Sequence, residues 1–279
     1  MTDTSPEPGP QGAIAPSPFP PIADYAFLSN CHTGALVAPD GAIDWLCVPS
    51  FDAPSVFGSL LDRQAGFFRF APFGINHPAG RIYEPGTNVL VTAWKTPAGW
   101  VIVRDALTMG PSDGKDLVLP HTRPPADDDA DHMLVRTVEC LDGQVEIDLV
   151  CEPVFDYGRT TATWSLADGD RHVADASGAG QTLRLRTDLA IGIKGGRVEA
   201  RHILQAGARA YCVLSWASGL AAPQDVDQAE VKIADTTRYW RRGWAGPGCP
   251  TTGTGTPSNA QPWRSKGSPT CPPGPRLPH

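Results

Sequence analysis

Between Asp24 and Phe57 the chain concentrates the side-chain types that can meet a polar ligand. The stretch runs Asp24-Tyr25-Ala26-Phe27-Leu28-Ser29-Asn30-Cys31-His32-Thr33-Gly34-Ala35-Leu36-Val37. It resumes as Asp40-Gly41-Ala42-Ile43-Asp44-Trp45-Leu46-Cys47-Val48-Pro49-Ser50-Phe51-Asp52-Ala53-Pro54-Ser55-Val56-Phe57. The candidate residues within it are Tyr25, Ser29, Asn30, Cys31, His32, Asp44 and Trp45. Rings interleaved with small hydroxyls, amides and carboxylates suit a carbohydrate-facing rim. They suit a domain–domain interface equally, which is the preferred reading, and a purely core role is the third. Cys31-His32 sets a thiol beside an imidazole. Nucleophilic catalysis also needs an orienting acid and an oxyanion hole, and the spacing places neither.

Elsewhere no catalytic constellation stands out. There is no GxSxG elbow, GxxxxGK[ST] loop, HExxH helix or GxGxxG turn after a strand. The seven histidines lack metal-ligand spacing. The acidic run Asp127-Asp128-Asp129 lies in a proline-containing stretch, Pro111 to Asp131, which reads as a solvated loop. Carboxylates suit hard cations, but the run lacks the Asp-x-Asp-x-Asp-Gly spacing of a calcium loop. The expectation is therefore no catalytic residue in this chain, no metal and no cofactor.

The elements that would position these residues are strands. Ala35–Ala38 and Ala42–Val48 flank Pro39-Asp40-Gly41 as a hairpin, and Asn88–Trp94 and Trp100–Asp105 flank Thr96-Pro97-Ala98-Gly99. Met133–Glu139 and Val145–Cys151 flank Leu141-Asp142-Gly143. Phe67–Phe70, Thr161–Leu166, Thr182–Arg186, Arg197–His202 and Ala208–Trp216 are further strands, with hairpin turns at Gly178-Ala179-Gly180 and Gly192–Gly196. Val145-Glu146-Ile147-Asp148-Leu149 alternates apolar and acidic, the period of a half-buried strand. This pattern predicts a mainly β fold, an antiparallel two-sheet sandwich over 22–220. A C-terminal linker helix follows over 223–242, opened by Pro223 and carrying Val226, Ala229, Val231, Ile233 and Ala234 at helical spacing.

Composition bounds the folded unit. Of 29 prolines, seven fall in residues 1–21 and nine in 243–279. No Asp or Glu lies beyond Arg242, and Leu277 is the only aliphatic larger than alanine after it. Both ends read as disordered: a proline-rich leader over 1–21 and a tail over 243–279. The net charge of −7, with no basic stripe, argues against nucleic acid as a partner. No apolar run approaches the roughly 20 residues of a membrane span, and residues 1–21 lack a secretory signal. Seven cysteines, odd in number and without CxxC pairs, point to a reduced, cytoplasmic setting.

The segment Ile22 to Phe57 resembles the opening of glycoside hydrolase family 15, in particular its bacterial trehalase-like and glucoamylase-like members. Further similar stretches are Arg104-Asp105-Ala106-Leu107, Arg123-Pro124-Pro125 with the acidic run and Leu134-Val135-Arg136, and Cys151-Glu152-Pro153-Val154-Phe155-Asp156-Tyr157-Gly158-Arg159. The resemblance covers residues 20–242 nearly without gaps. It implies the family's N-terminal β-sandwich and linker helix, with a separate or missing (α/α)6 catalytic barrel as partner. That barrel holds the two glutamates that hydrolyse an α-glucosidic bond with inversion, and no position here inherits either. Trehalose is the preferred substrate of the parent enzyme, because 124–131 and 151–159 look most like the trehalase branch. A glucoamylase-type fragment is the alternative. A stand-alone carbohydrate-binding β-sandwich, taking trehalose or an α-glucan, comes from a different class.

The tail does not share the resemblance. In a reverse translation, with codons chosen within synonymous freedom, one T restored after the Arg242 codon turns 243–272 into an apolar-periodic, helix-like segment. A frameshift after Arg242 is therefore expected.

Overall fold

The computed structural model describes residues 19–109, 130–216 and 222–244. The leader up to residue 18, the acidic run with most of its loop, and the tail from residue 245 lie outside the described residues. The chain is mainly β, as expected. Among the described residues the strands are β1 Ala26–Ser29, β2 Gly34–Val37, β3 Ala42–Cys47, β4 Ser55–Phe57, β5 Gly66–Pro72, β6 Gly80–Tyr83, β7 Leu90–Thr96, β8 Gly99–Met109, β9 Ala130–Val154, β10 Thr160–Thr161, β11 Thr163–Leu166, β12 Val173–Gly178, β13 Gln181–Thr187, β14 Gly192–Lys194, β15 Arg197–Gln205 and β16 Arg209–Ser215. One helix, α1 Val226–Trp244, closes the described part.

Every pairing is antiparallel, and the ladders join into one continuous sheet bent into two layers by β9. Its N-terminal half pairs with β8 and β16, as in Met133 opposite Ser215 and Glu139 opposite Arg209. Its C-terminal half pairs with β5 and β15, as in Leu149 opposite Phe70 and Ala200. The expected strands Met133–Glu139 and Val145–Cys151 are thus one strand, and Leu141-Asp142-Gly143 is its corner. Gly143 has φ +65°, and the register slips between Trp100 and Val101 opposite it. A bulge with a left-handed glycine lets a strand leave one layer and enter the other.

Alternation along β9 builds the core. Val145, Ile147, Leu149 and Cys151 are buried, while Glu146 and Asp148 lie on the other face in ion pairs with Arg201. Leu28, Ile43, Phe68 and Phe70 of one layer share a cluster with Trp94, Val103, Leu183 and Leu214 of the other. The Pro39-Asp40-Gly41 turn forms as expected: the Asp40 side chain accepts from the Ala42 amide, and Gly41 has φ +82°.

Strands β1, β4, β6, β12 and β14 were not foreseen. Four of them are only three or four residues long, too short to show a period, and β12 is largely alanine and small polar residues. Pairing with stronger neighbours recruits them, a tertiary override of weak β preference.

The helix begins at Val226 rather than at Pro223. The Asp225 carboxylate accepts from the Gln228 amide at 2.7 Å, which is N-capping. Ala229 and Ile233 pack on Val89, Ala106, Val135, Tyr211 and Val213 of the β7–β8–β9–β16 layer. Val231, placed on the apolar stripe by spacing, is exposed. Lys232 pairs with Asp131 at 2.9 Å, and Thr236 accepts from the Met109 amide at 3.1 Å. Among the described residues no helix is long and apolar enough to cross a membrane.

Candidate functional site

Tyr25 precedes β1, and Asp44 lies mid-strand on β3. Because β1, β2 and β3 are consecutive neighbours, the fold brings their side chains together: the Tyr25 hydroxyl donates to Asp44 Oδ2 at 2.8 Å. Ser59 donates to Asp44 Oδ1 at 2.7 Å, and Arg63 Nη1 reaches Oδ2 at 3.5 Å. Asp44 is 2% exposed. Burial lifts its carboxyl above the ordinary range, assisted by the charge of Asp40 and opposed by the two hydroxyls and Arg63. Burial and the adjacent Asp44 push the Tyr25 phenol up as well, so it remains a proton donor to Asp44.

This network forms part of the wall of a cleft of about 660 Å³. The segment Phe19–Ala26, the β2–β3 turn, β6 and Arg63 surround it. Phe19 lies over the Arg63 guanidinium, 4.0 Å from ring centroid to Cζ. Arg81 is held by the carbonyls of Asp24 and Val37, each at 2.8 Å, and Tyr83 exchanges hydrogen bonds with the backbone of Phe27. Sequence reasoning missed Arg63, Arg81, His77 and Phe19 as cleft residues. They come from three separate segments of the chain, and no local pattern marks them.

The remaining candidates lie elsewhere. Ser29, Asn30, Cys31 and His32 form the turn at the other end of β1. Asn30 is fully buried, and its Oδ1 accepts from the amides of His32 at 3.1 Å and Thr33 at 2.9 Å. Ser29 Oγ accepts from the Cys31 amide and donates to the Thr33 carbonyl. Cys31 has φ +67°, a left-handed position that these side-chain bonds hold. The His32 ring lies 6.5 Å from that of His132, which in turn lies 6.5 Å from Trp216. Trp45, next to Asp44 on β3, faces the opposite side of the strand and is half-buried. The seven candidates therefore divide into the Tyr25–Asp44 pair, the Ser29–His32 turn and Trp45.

Among the described residues, no three or more His, Cys, Asp or Glu side chains are grouped so as to hold a metal ion. Cys47, Cys140, Cys151 and Cys212 are buried. Burial raises the thiol pKa of each, which suits packing rather than reactivity.

Residues 14–118 match the family described as "Trehalase-like, N-terminal". A trehalase from Mycolicibacterium smegmatis is 47% identical over 249 residues, which cover 87% of this chain and 37% of that protein. A trehalase from Mycobacterium tuberculosis is 46% identical over 232 residues, covering 81% of this chain and 34% of that one. A solved structure titled putative kojibiose phosphorylase from human microbiome aligns over 79% of this chain and 34% of its own, at 11% identity and TM-score 0.39, too distant a likeness to bear on function. The chain spans about a third of the length of the trehalases it matches. Over most of its length the chain is similar to trehalases, and residues 14–118, which include the Tyr25–Asp44 pair, are similar to the trehalase-like N-terminal domain.

Proposed function

We propose that this chain is the non-catalytic N-terminal β-domain of an inverting hydrolase of glycoside hydrolase family 15, one that cleaves α,α-trehalose to glucose. The observation that carries this reading is the 47% identity to a trehalase over 87% of this chain but 37% of the relative. In this reading residues 22–220 are the β-domain and the helix region 223–242 links to an (α/α)6 barrel that supplies both catalytic glutamates. The Ser29–His32 turn and Trp45 face that barrel, and the parent enzyme works in the cytoplasm. The proline-rich tail is an out-of-frame reading, which sequencing the DNA after the Arg242 codon tests.

The functional test is an assay of glucose release. The purified 279-residue chain is expected to release none from trehalose or maltose. Residues 1–242, joined to the part of the M. smegmatis trehalase that lies beyond the aligned region, are expected to hydrolyse trehalose in preference to maltose. Turnover by the 279-residue chain alone, or maltose preferred by the joined protein, would refute the reading.

A further inference from the structure

The cleft beside Tyr25 and Asp44 has a composition that selects a ligand class. Its volume of about 660 Å³ lies within the roughly 300–1,000 Å³ typical of small-ligand sites. Asp24, Asp40, Asp44, Arg63 and Arg81 are among the residues that line it. An anion that entered would meet a wall carrying three acidic residues, and a cation one carrying two arginines. A purely apolar ligand would strip water from both and return nothing. A neutral molecule carrying several hydroxyls satisfies both signs, since each hydroxyl donates to a carboxylate and accepts from a guanidinium. The ring of Tyr83, with Pro20 and Pro39, adds apolar faces for the C–H side of a sugar ring.

Arg63 sharpens the argument. Its Nε and Nη2 are shielded from solvent and have no hydrogen-bond partner among the described residues. A covered guanidinium edge without acceptors is costly and rare. The phenyl ring of Phe19, itself 52% exposed, lies against this guanidinium and has no oxygen to offer it. A ligand ring that takes the place of Phe19 would bring hydroxyl acceptors to that edge.

We propose that this cleft binds a neutral mono- or disaccharide on the β-domain itself, with Arg63 and Asp24 as polar anchors and Phe19 as the group displaced. The site performs no bond cleavage, and it stands or falls independently of the trehalase reading, whose readout is glucose release by the joined protein.

The test uses the purified 279-residue chain, isothermal titration calorimetry, and amide chemical-shift mapping. Glucose, trehalose and maltose are the neutral probes, with glucose 6-phosphate and glucosamine as charged counterparts. Saturable binding of at least one neutral sugar is expected, tighter than that of either charged analogue, with shifts centred on 19–26, 38–44 and 63. Arg63→Met and Asp24→Ala should each weaken binding about tenfold or more, as expected for losing a hydrogen bond to a charged group. Phe19→Ala should strengthen it. Asp24 is exposed, so Asp24→Ala carries the test even if Arg63→Met fails to fold. The proposal is overturned if no neutral sugar saturates, if a charged analogue binds more tightly, if the shifts map elsewhere, or if Asp24→Ala leaves the affinity unchanged.

Discussion

Arg136 Nε donates to Asp105 Oδ1 at 2.7 Å between side chains that are 0% and 1% exposed, and the guanidinium held by this pair reaches across to the other layer. The same guanidinium donates from Nη1 to the Phe68 carbonyl at 2.9 Å and from Nη2 to the Gly41 carbonyl at 2.7 Å. Asp105 and Arg136 belong to the layer of β8 and β9, whereas Phe68 and Gly41 belong to β5 and the β2–β3 turn. The turn that opens β3, and with it the placing of Asp44, therefore depends on a charge buried in the other layer.

Breaking this pair should be far more costly than breaking a surface ion pair. Arg136→Met leaves Asp105 buried without its cation, and two backbone carbonyls lose a donor. A loss of about 3–5 kcal/mol is expected in urea denaturation of the 279-residue chain. Asp105→Leu combined with Arg136→Met removes both charges and should recover part of that loss. A double variant no more stable than Arg136→Met alone would show that the carbonyl contacts, not the charge pair, dominate.

Asp44 makes a prediction in pH. Its carboxyl is raised above the ordinary 3.8 chiefly by burial. The native state then holds this proton more tightly than the unfolded chain does. Its contribution to stability is present at low pH and is lost as pH rises from the ordinary value through the raised one. Asp44→Asn should remove that portion of the slope. Asp188, also raised by burial, is common to both proteins and cancels in the difference. Denaturation midpoints at stepped pH read the effect, and parallel curves for the two proteins would contradict it.

The helix cap gives a local prediction. Asp225→Ala removes the acceptor for the Gln228 amide and the partner of the Gln228 side chain. A loss of about 1 kcal/mol is expected. Hydrogen exchange should quicken at Val226–Ala229 and stay unchanged in β9, because Ala229 and Ile233 still anchor the later turns. Equal acceleration across β9 would show that the helix and the sheet open as one unit.

Local sequence was most legible where a short-range rule operates. The Asp-Gly turn after Pro39 follows from the left-handed position that only glycine fills without strain. The two-residue period of Val145–Leu149 follows from strand geometry. Leu141-Asp142-Gly143 carries the same turn chemistry, yet it forms a corner inside one strand. Nothing local distinguishes a hairpin from a corner: the difference lies in whether the two flanking segments pair with each other or with β15 and β16, which follow more than fifty residues later.

By itself, then, the amino-acid order determined the strand-rich class, the helix at the end and the likeness of Ile22–Phe57 to a known family, because periodicity, turn chemistry and motif are properties of neighbouring residues. Tertiary structure alone decided that Tyr25 and Asp44 meet while Ser29, Asn30, Cys31, His32 and Trp45 point elsewhere. It also brought Arg63 and Arg81 to their cleft and Arg136 to Asp105. Each of those encounters joins residues 19 to 57 positions apart, and only the pairing of strands, with the burial that pays for it, selects among the many encounters such distances allow.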